Sequence, residues 1–148
     1  MRRSRRSRDE RGSVLFLYPV GFLIVVLLGA IAVDLGNVWL QQRRLADAAD
    51  SAANDAVTFG LDQDSLRQEG QIELDDGRVL DVVSASVAGQ ALPPAAAVTA
   101  ITIDTGPGGN PSVTVEIESE ADLIFGRIVR SGGIAIRAEG TAEIVDGP

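Results

Sequence analysis

The residues able to do chemistry in this chain are carboxylates. Its 148 residues include 21 Asp and Glu and 13 basic residues, all arginine, with no histidine and no cysteine. That removes the commonest general base and zinc ligand, any thiolate and any lysine Schiff base. What remains is paired-carboxylate work, meaning acid–base catalysis or cation binding. Three clusters qualify: Asp62/Asp64, Asp75/Asp76 and Glu116/Glu118/Glu120. A calcium loop needs oxygen ligands in the pattern D-x-[DN]-x-[DN]-G, and Leu66 stands where the third belongs. The three glutamates alternate along one strand pattern, as a solvated face does. Gly106-x-Gly108-Gly109 lies in a proline-containing turn between two strand patterns, not between strand and helix, so it is no phosphate loop. Asn110-Pro111-Ser112 fails as a glycosylation site because proline intervenes. The expectation is therefore a structural chain: not an enzyme, with no catalytic residue, no metal, no cofactor and no small-molecule substrate.

The charge distribution points to a membrane. Net charge is −8, but it is uneven. Residues 1–12 hold Arg2, Arg3, Arg5, Arg6, Arg8 and Arg11 against Asp9 and Glu10, and everything after Val33 is strongly acidic. Between them, residues 13–33 read SVLFLYPVGFLIVVLLGAIAV, without a charge. As a helix this run spans about 30 Å, the thickness of a bilayer's hydrocarbon core. Pro19 falls in the first turns, where a missing N–H costs least. Positive flanks stay in the cytoplasm. The expected topology is single-pass in a bacterial cytoplasmic membrane, N-terminus inside and acidic body outside. The neighbouring apolar run accounts for the arginine cluster better than nucleic-acid binding does. A secretory signal peptide cut after Ala32, in Ala30-Ile31-Ala32, is the rival, and would release a secreted binding protein. The run exceeds the usual 7–15 apolar residues of such a signal, and the helical pattern continues past it.

Beyond Val33, apolar or small residues recur at Val38, Leu45, Ala48, Ala49, Ala52, Ala53, Ala56 and Val57, a helical stripe. Gly60 suits a C-terminal cap. The reading is one helix from about Ser13 to Phe59, with Trp39 at the interface level. Ala49, Ala52, Ala53 and Ala56 form a face permitting close backbone approach, expected to pack on the chain's own sheet. Gly21, Gly29 and Gly36 fall within about 80° of one another on a helical wheel, a candidate seam for a neighbouring membrane helix.

The domain reading follows: 1–12 basic cytoplasmic tail, 13–33 transmembrane helix, 34–60 its extracytoplasmic continuation, 61–148 acidic α+β body. Within the body, 61–76 reads as a polar connection. A second helix is expected over 77–92, capped by Asp75 or Asp76, with Leu80, Val83, Val87 and Ala91 inward, stopped by Pro93-Pro94. A hairpin turn at Asp76-Gly77 is the alternative. Strands are expected over 98–105, 112–122 and 133–145, the last kinked at Gly140, with 123–129 capping the core as a short apolar segment. The fold class is α+β: a long N-terminal helix on a small three- to four-stranded antiparallel sheet, with one additional short helix.

Arg11-Gly12-Ser13, the apolar run, Val33-Asp34-Leu35-Gly36 and the stretch Gln42-Arg43-Arg44-Leu45-Ala46-Asp47-Ala48-Ala49-Asp50-Ser51-Ala52-Ala53 together resemble the start of TadE/TadG-like proteins. These are accessory proteins of the Flp (Tad) pilus machinery. The tail resembles the family more weakly, at 113–117, 123–128 and 134–142. The resemblance implies a pilin-like architecture. It also implies a structural or accessory role in pilus assembly or a related secretion apparatus, with the bilayer and other pilus-assembly or pilin-like subunits as partners. It raises the alternative of a minor pseudopilin processed between Gly12 and Ser13. Such proteins usually carry a glutamate five residues into the mature chain, where this chain has Leu17, and that favours the uncut, membrane-retained form.

Overall fold

The structure, a computed structural model, describes residues 10–68, 72–93, 95–106, 110–128 and 132–144. The arginines at 2–8, Pro94, residues 107–109 of the turn loop, Val129 and Val145 lie outside the described residues. Helix α1 (Glu10–Phe59) runs 50 residues, about 75 Å at 1.5 Å per residue. It is continuous through Pro19. The helix divides by what covers it. From Leu17 to Leu40 its large apolar side chains stand exposed except Val38, which packs against the core, whereas Leu45, Ala48, Ala49, Ala52, Ala53 and Ala56 are wholly covered.

The cover comes from an antiparallel sheet in the order β1-β2-β3, with β1 Ala97–Thr105, β2 Pro111–Ala121 and β3 Ile134–Glu143. The fold is α+β. Alternation in β2 puts Val113, Val115 and Ile117 fully inside, each worth about 1.5–3 kcal/mol on burial. Alanine contributes less area. Its use is to let backbones close on one another. At Gly140 this closeness is extreme: a Cβ built there would lie 2.3 Å from the Ala49 carbonyl carbon and from the Asp50 nitrogen. The kink expected at Gly140 is absent. Pairing of β2 with β3 runs in unbroken register from Ser112↔Glu143 through Val115↔Gly140 to Ala121↔Ile134, and the irregularity lies instead in β1 between Val98 and Ala100. Gly140 is therefore explained by the helix above it, not by a bend in its strand.

Helix α3 (Asp76–Ala88) packs on α1. Asp75 is its cap, with Oδ1 accepting the Arg78 amide at 3.0 Å, so Asp76-Gly77 opens a helix and the hairpin alternative falls. Two details depart from the sequence reading. The helix stops at Ala88, not Leu92: Gln90 N–H bonds the Val87 carbonyl, tightening the last turn ahead of the residue before Pro93. Val83 is buried and Val87 packs against the core as expected, but Val79 is the other buried residue and Leu80 is 52% exposed, so the inward face includes Val79 in place of Leu80. The polar connection also holds a short helix, α2 (Gln63–Gln68), started by Asp62, whose Oδ1 accepts the Asp64 amide at 2.8 Å.

Candidate functional site

The charge-free run ends at Asp34, and its carboxylate does not face solvent. The residue is 8% exposed. Oδ1 accepts the amides of Ile124 at 2.7 Å and Phe125 at 2.9 Å, and Oδ2 accepts that of Gly126 at 2.6 Å. Three consecutive backbone donors thus converge on one carboxylate from a segment some ninety residues away in sequence. Bonds of this kind, with one ionised partner, are the strong class. They hold the Asp34 carboxyl below its ordinary pKa, the Phe125 amide first among them. Partial burial pushes the other way, and the Ile124 and Gly126 amides add to the lowering. Gly126 leaves room for this: a Cβ there would sit 3.2 Å from Asp34 Oδ2 and 2.6 Å from Leu123 Cδ1.

The grip continues up the helix. Asn37 Nδ2 donates to the Asp122 carbonyl at 2.7 Å, Gln41 Nε2 donates to the same oxygen at 3.4 Å, and the Asp122 amide donates back to Gln41 Oε1 at 3.3 Å. Positions 34, 37 and 41 are spaced i, i+3, i+7, one face of α1. They fasten the segment that leads from β2 into a 3-10 turn at Gly126–Ile128. This segment does not cap the core, as its apolar composition led us to expect. Held by its backbone, it turns Ile124, Phe125 and Ile128 outward, the last 85% exposed.

Each of the three carboxylate clusters has a member in a structural role. Asp62 starts α2; the Asp64 amide chiefly, then the Ser65 hydroxyl, lowers its pKa. Asp75 caps α3. Glu116 and Glu118 both pair with Arg137 of β3, Glu118 at 3.1 Å. Among the described residues, no three of His, Cys, Asp and Glu are grouped to hold a metal ion.

Of the residues singled out in the sequence, Gly12 and Ser13 lie within α1. A Cβ on Gly21, Gly29 or Gly36 would meet nothing within 4 Å, so the chain itself leaves that face open. Ala49, Ala52, Ala53 and Ala56 have zero exposure. Asp34 carried no role in the sequence reading beyond its place in Val33-Asp34-Leu35-Gly36. The available signal was a lone acid at the edge of an apolar run, with Asn37 and Gln41 following on its face.

These features define a class: an α+β protein in which one helix is bare and apolar at one end and alanine-lined beneath a sheet at the other. That helix is long and apolar enough to cross a membrane. Residues 12–58 match the Tad family, described as Flp pilus-assembly TadE/G-like. The matched stretch lies entirely within α1, so the family resemblance read from the sequence holds there, Asp34 included, while the sheet and α3 fall outside it. Comparison with curated proteins and with solved structures gives no match.

Proposed function

We propose that this chain is a membrane-anchored structural component of a Flp/Tad-type pilus assembly or related secretion apparatus. Residues 13–33 cross the cytoplasmic membrane, 34–60 continue the helix outside, and 61–148 form an acidic extracytoplasmic body. One observation carries the reading. The Tad-family match coincides with α1, and the same helix is bare where lipid would surround it and covered where the body sits. The arginines preceding the apolar run support the N-inside orientation. The open face at Gly21, Gly29 and Gly36 supplies a lateral contact for a second membrane helix of the assembly.

The test is topology together with the mature N-terminus. A reporter active only outside the membrane, fused after Pro148, should be active, and a cytoplasmic reporter at the same position should not. Mass spectrometry should find the chain starting at Met1 or Arg2. A start at Ser13 would assign it to processed filament subunits, and a start at Val33 to secreted proteins.

A further inference from the structure

Four observations about the segment 122–128 converge. It lies alongside α1 at residues 34–41, the level at which the exposed apolar surface of the helix ends with Leu35, Trp39 and Leu40. It approaches the apolar run as it goes, from Asp122 beside Asn37 and Gln41 to Gly126 at Asp34. Ile124, Phe125 and Ile128 are exposed, while the amides of 124–126 are all satisfied by Asp34. Unsatisfied amides bar irregular backbone from an apolar environment, and here the N–H groups of 124–126 are satisfied, as is that of Ile128 by the Phe125 carbonyl. Finally, cationic groups mark the same zone. Arg127 is largely exposed and pairs with the also exposed Asp122 at 3.4 Å, and Arg43 lies over the Trp39 ring at 5.7 Å, in the arrangement of an aromatic and a snorkelling cation at a headgroup layer.

We propose that Ile124, Phe125 and Ile128 form a second membrane contact, dipping into the outer interface of the bilayer beside α1. This rests on the anchoring reading above. Lipid is the occupant because the patch is continuous with the helix surface that faces the bilayer and ends at its level. The segment then sets the height and rotation of the body over the membrane, since Asp34 ties it rigidly to the anchor.

The experiment uses the full chain with Trp39→Phe, which removes its only tryptophan, and Phe125→Trp as the probe. The protein is reconstituted into phosphatidylcholine/phosphatidylglycerol vesicles with or without brominated acyl chains. An interfacial segment sits about 5–10 Å into the headgroup and acyl boundary, so blue-shifted emission and about two-fold quenching are expected. Ile128→Trp in the same background should behave likewise, which covers a folding failure at position 125. Leu80→Trp on α3 should be unquenched. Adding Asp34→Asn should reduce quenching at position 125 while the protein still floats with the vesicles. Protein that floats and resists carbonate extraction, yet shows no quenching at 125 or 128, overturns the second contact and leaves the anchor standing. Protein that does not float overturns both. Probes shielded only after pilus-assembly components are added would assign the patch to a protein partner and overturn the lipid contact.

Discussion

Gly140→Ala tests the central contact of the body. One methyl group is added on β3 where α1 passes closest, 2.3 Å from two helix backbone atoms and 2.5 Å from the Ala49 carbonyl oxygen. A carbon needs more than an ångström beyond that separation, and helix backbone cannot swing aside as a side chain does. The helix must lift from the sheet, opening the seam along Ala49, Ala52 and Ala53, or β3 must sink. Overpacking of this kind costs about 1–3 kcal/mol, and the backbone obstacle places it at the upper end. Removing glycine's unfolded-state freedom returns about 0.4–1 kcal/mol. A net loss of about 2 kcal/mol is expected, and at about 4–8 °C per kcal/mol for a body of this size the midpoint falls by about 10 °C or more. The assay is thermal or urea-dependent pulse proteolysis of the full chain in mild detergent, scored on cleavage within the body. Gly29→Ala, where a Cβ meets nothing, is the matched control and should leave the midpoint unchanged. If Gly140→Ala proved as stable as the parent, the helix would not lie on β3 as described.

Ala53→Phe places a large side chain at a site with no exposure and should also lower the midpoint in that assay, by about 1–3 kcal/mol. The exposed change Asp50→Lys should hardly register, and loss of assembly with stability intact would give the alanine face to a partner. Gly29→Leu should weaken co-purification with pilus-assembly partners in detergent while body stability is kept; unchanged association would reduce the glycines to ordinary membrane-helix composition. The Asp34 clamp should depend on acid. Its folded pKa is depressed, so its stabilisation is present above the unfolded value of about 4 and is lost as pH falls through the lower folded value. Emission of the Phe125→Trp probe should hold steady from neutral pH to about 5 and change below about 4, and Asp34→Asn should remove that transition.

Periodicity made the helix and strands legible because it reports which side of an element is dry. Leu45 to Val57 could be read as a buried stripe, and Val113, Val115 and Ile117 as a buried strand face, since both patterns arise from the same core. The pattern misled where two phases competed. In α3, Leu80 is larger than Val79, yet the neighbouring valines, not the leucine, fit against α1. Gly140 misled for a different reason. A glycine in a strand signals either a bend or a close neighbour, and only the packed chain shows which. At the Asp34 clamp the helix side could be read, as a lone acid with Asn37 and Gln41 on its face, but not its partners, because they are backbone groups, which have no sequence identity.

Two stretches of α1, at its middle and toward its C-terminus, hold the body by different means. At the outer end, alanines against glycine bring helix and sheet backbones together, so the body cannot rotate about the helix without overlap at Gly140. That contact lies between residues 45 and 57, well beyond the apolar run. A body held only there would be free to tilt about the helix at the end nearer the apolar run. The Asp34, Asn37 and Gln41 face supplies a second attachment, from the edge of the run to about two turns beyond it, and it is made of polar bonds. A carboxylate suits the position: it gathers three amides at once and neutralises the start of the 3-10 turn. With two attachments about four turns apart, the orientation of the acidic body is fixed relative to the anchor. On the proposed anchored reading, that fixed orientation would let one subunit meet partners both within the membrane and outside it.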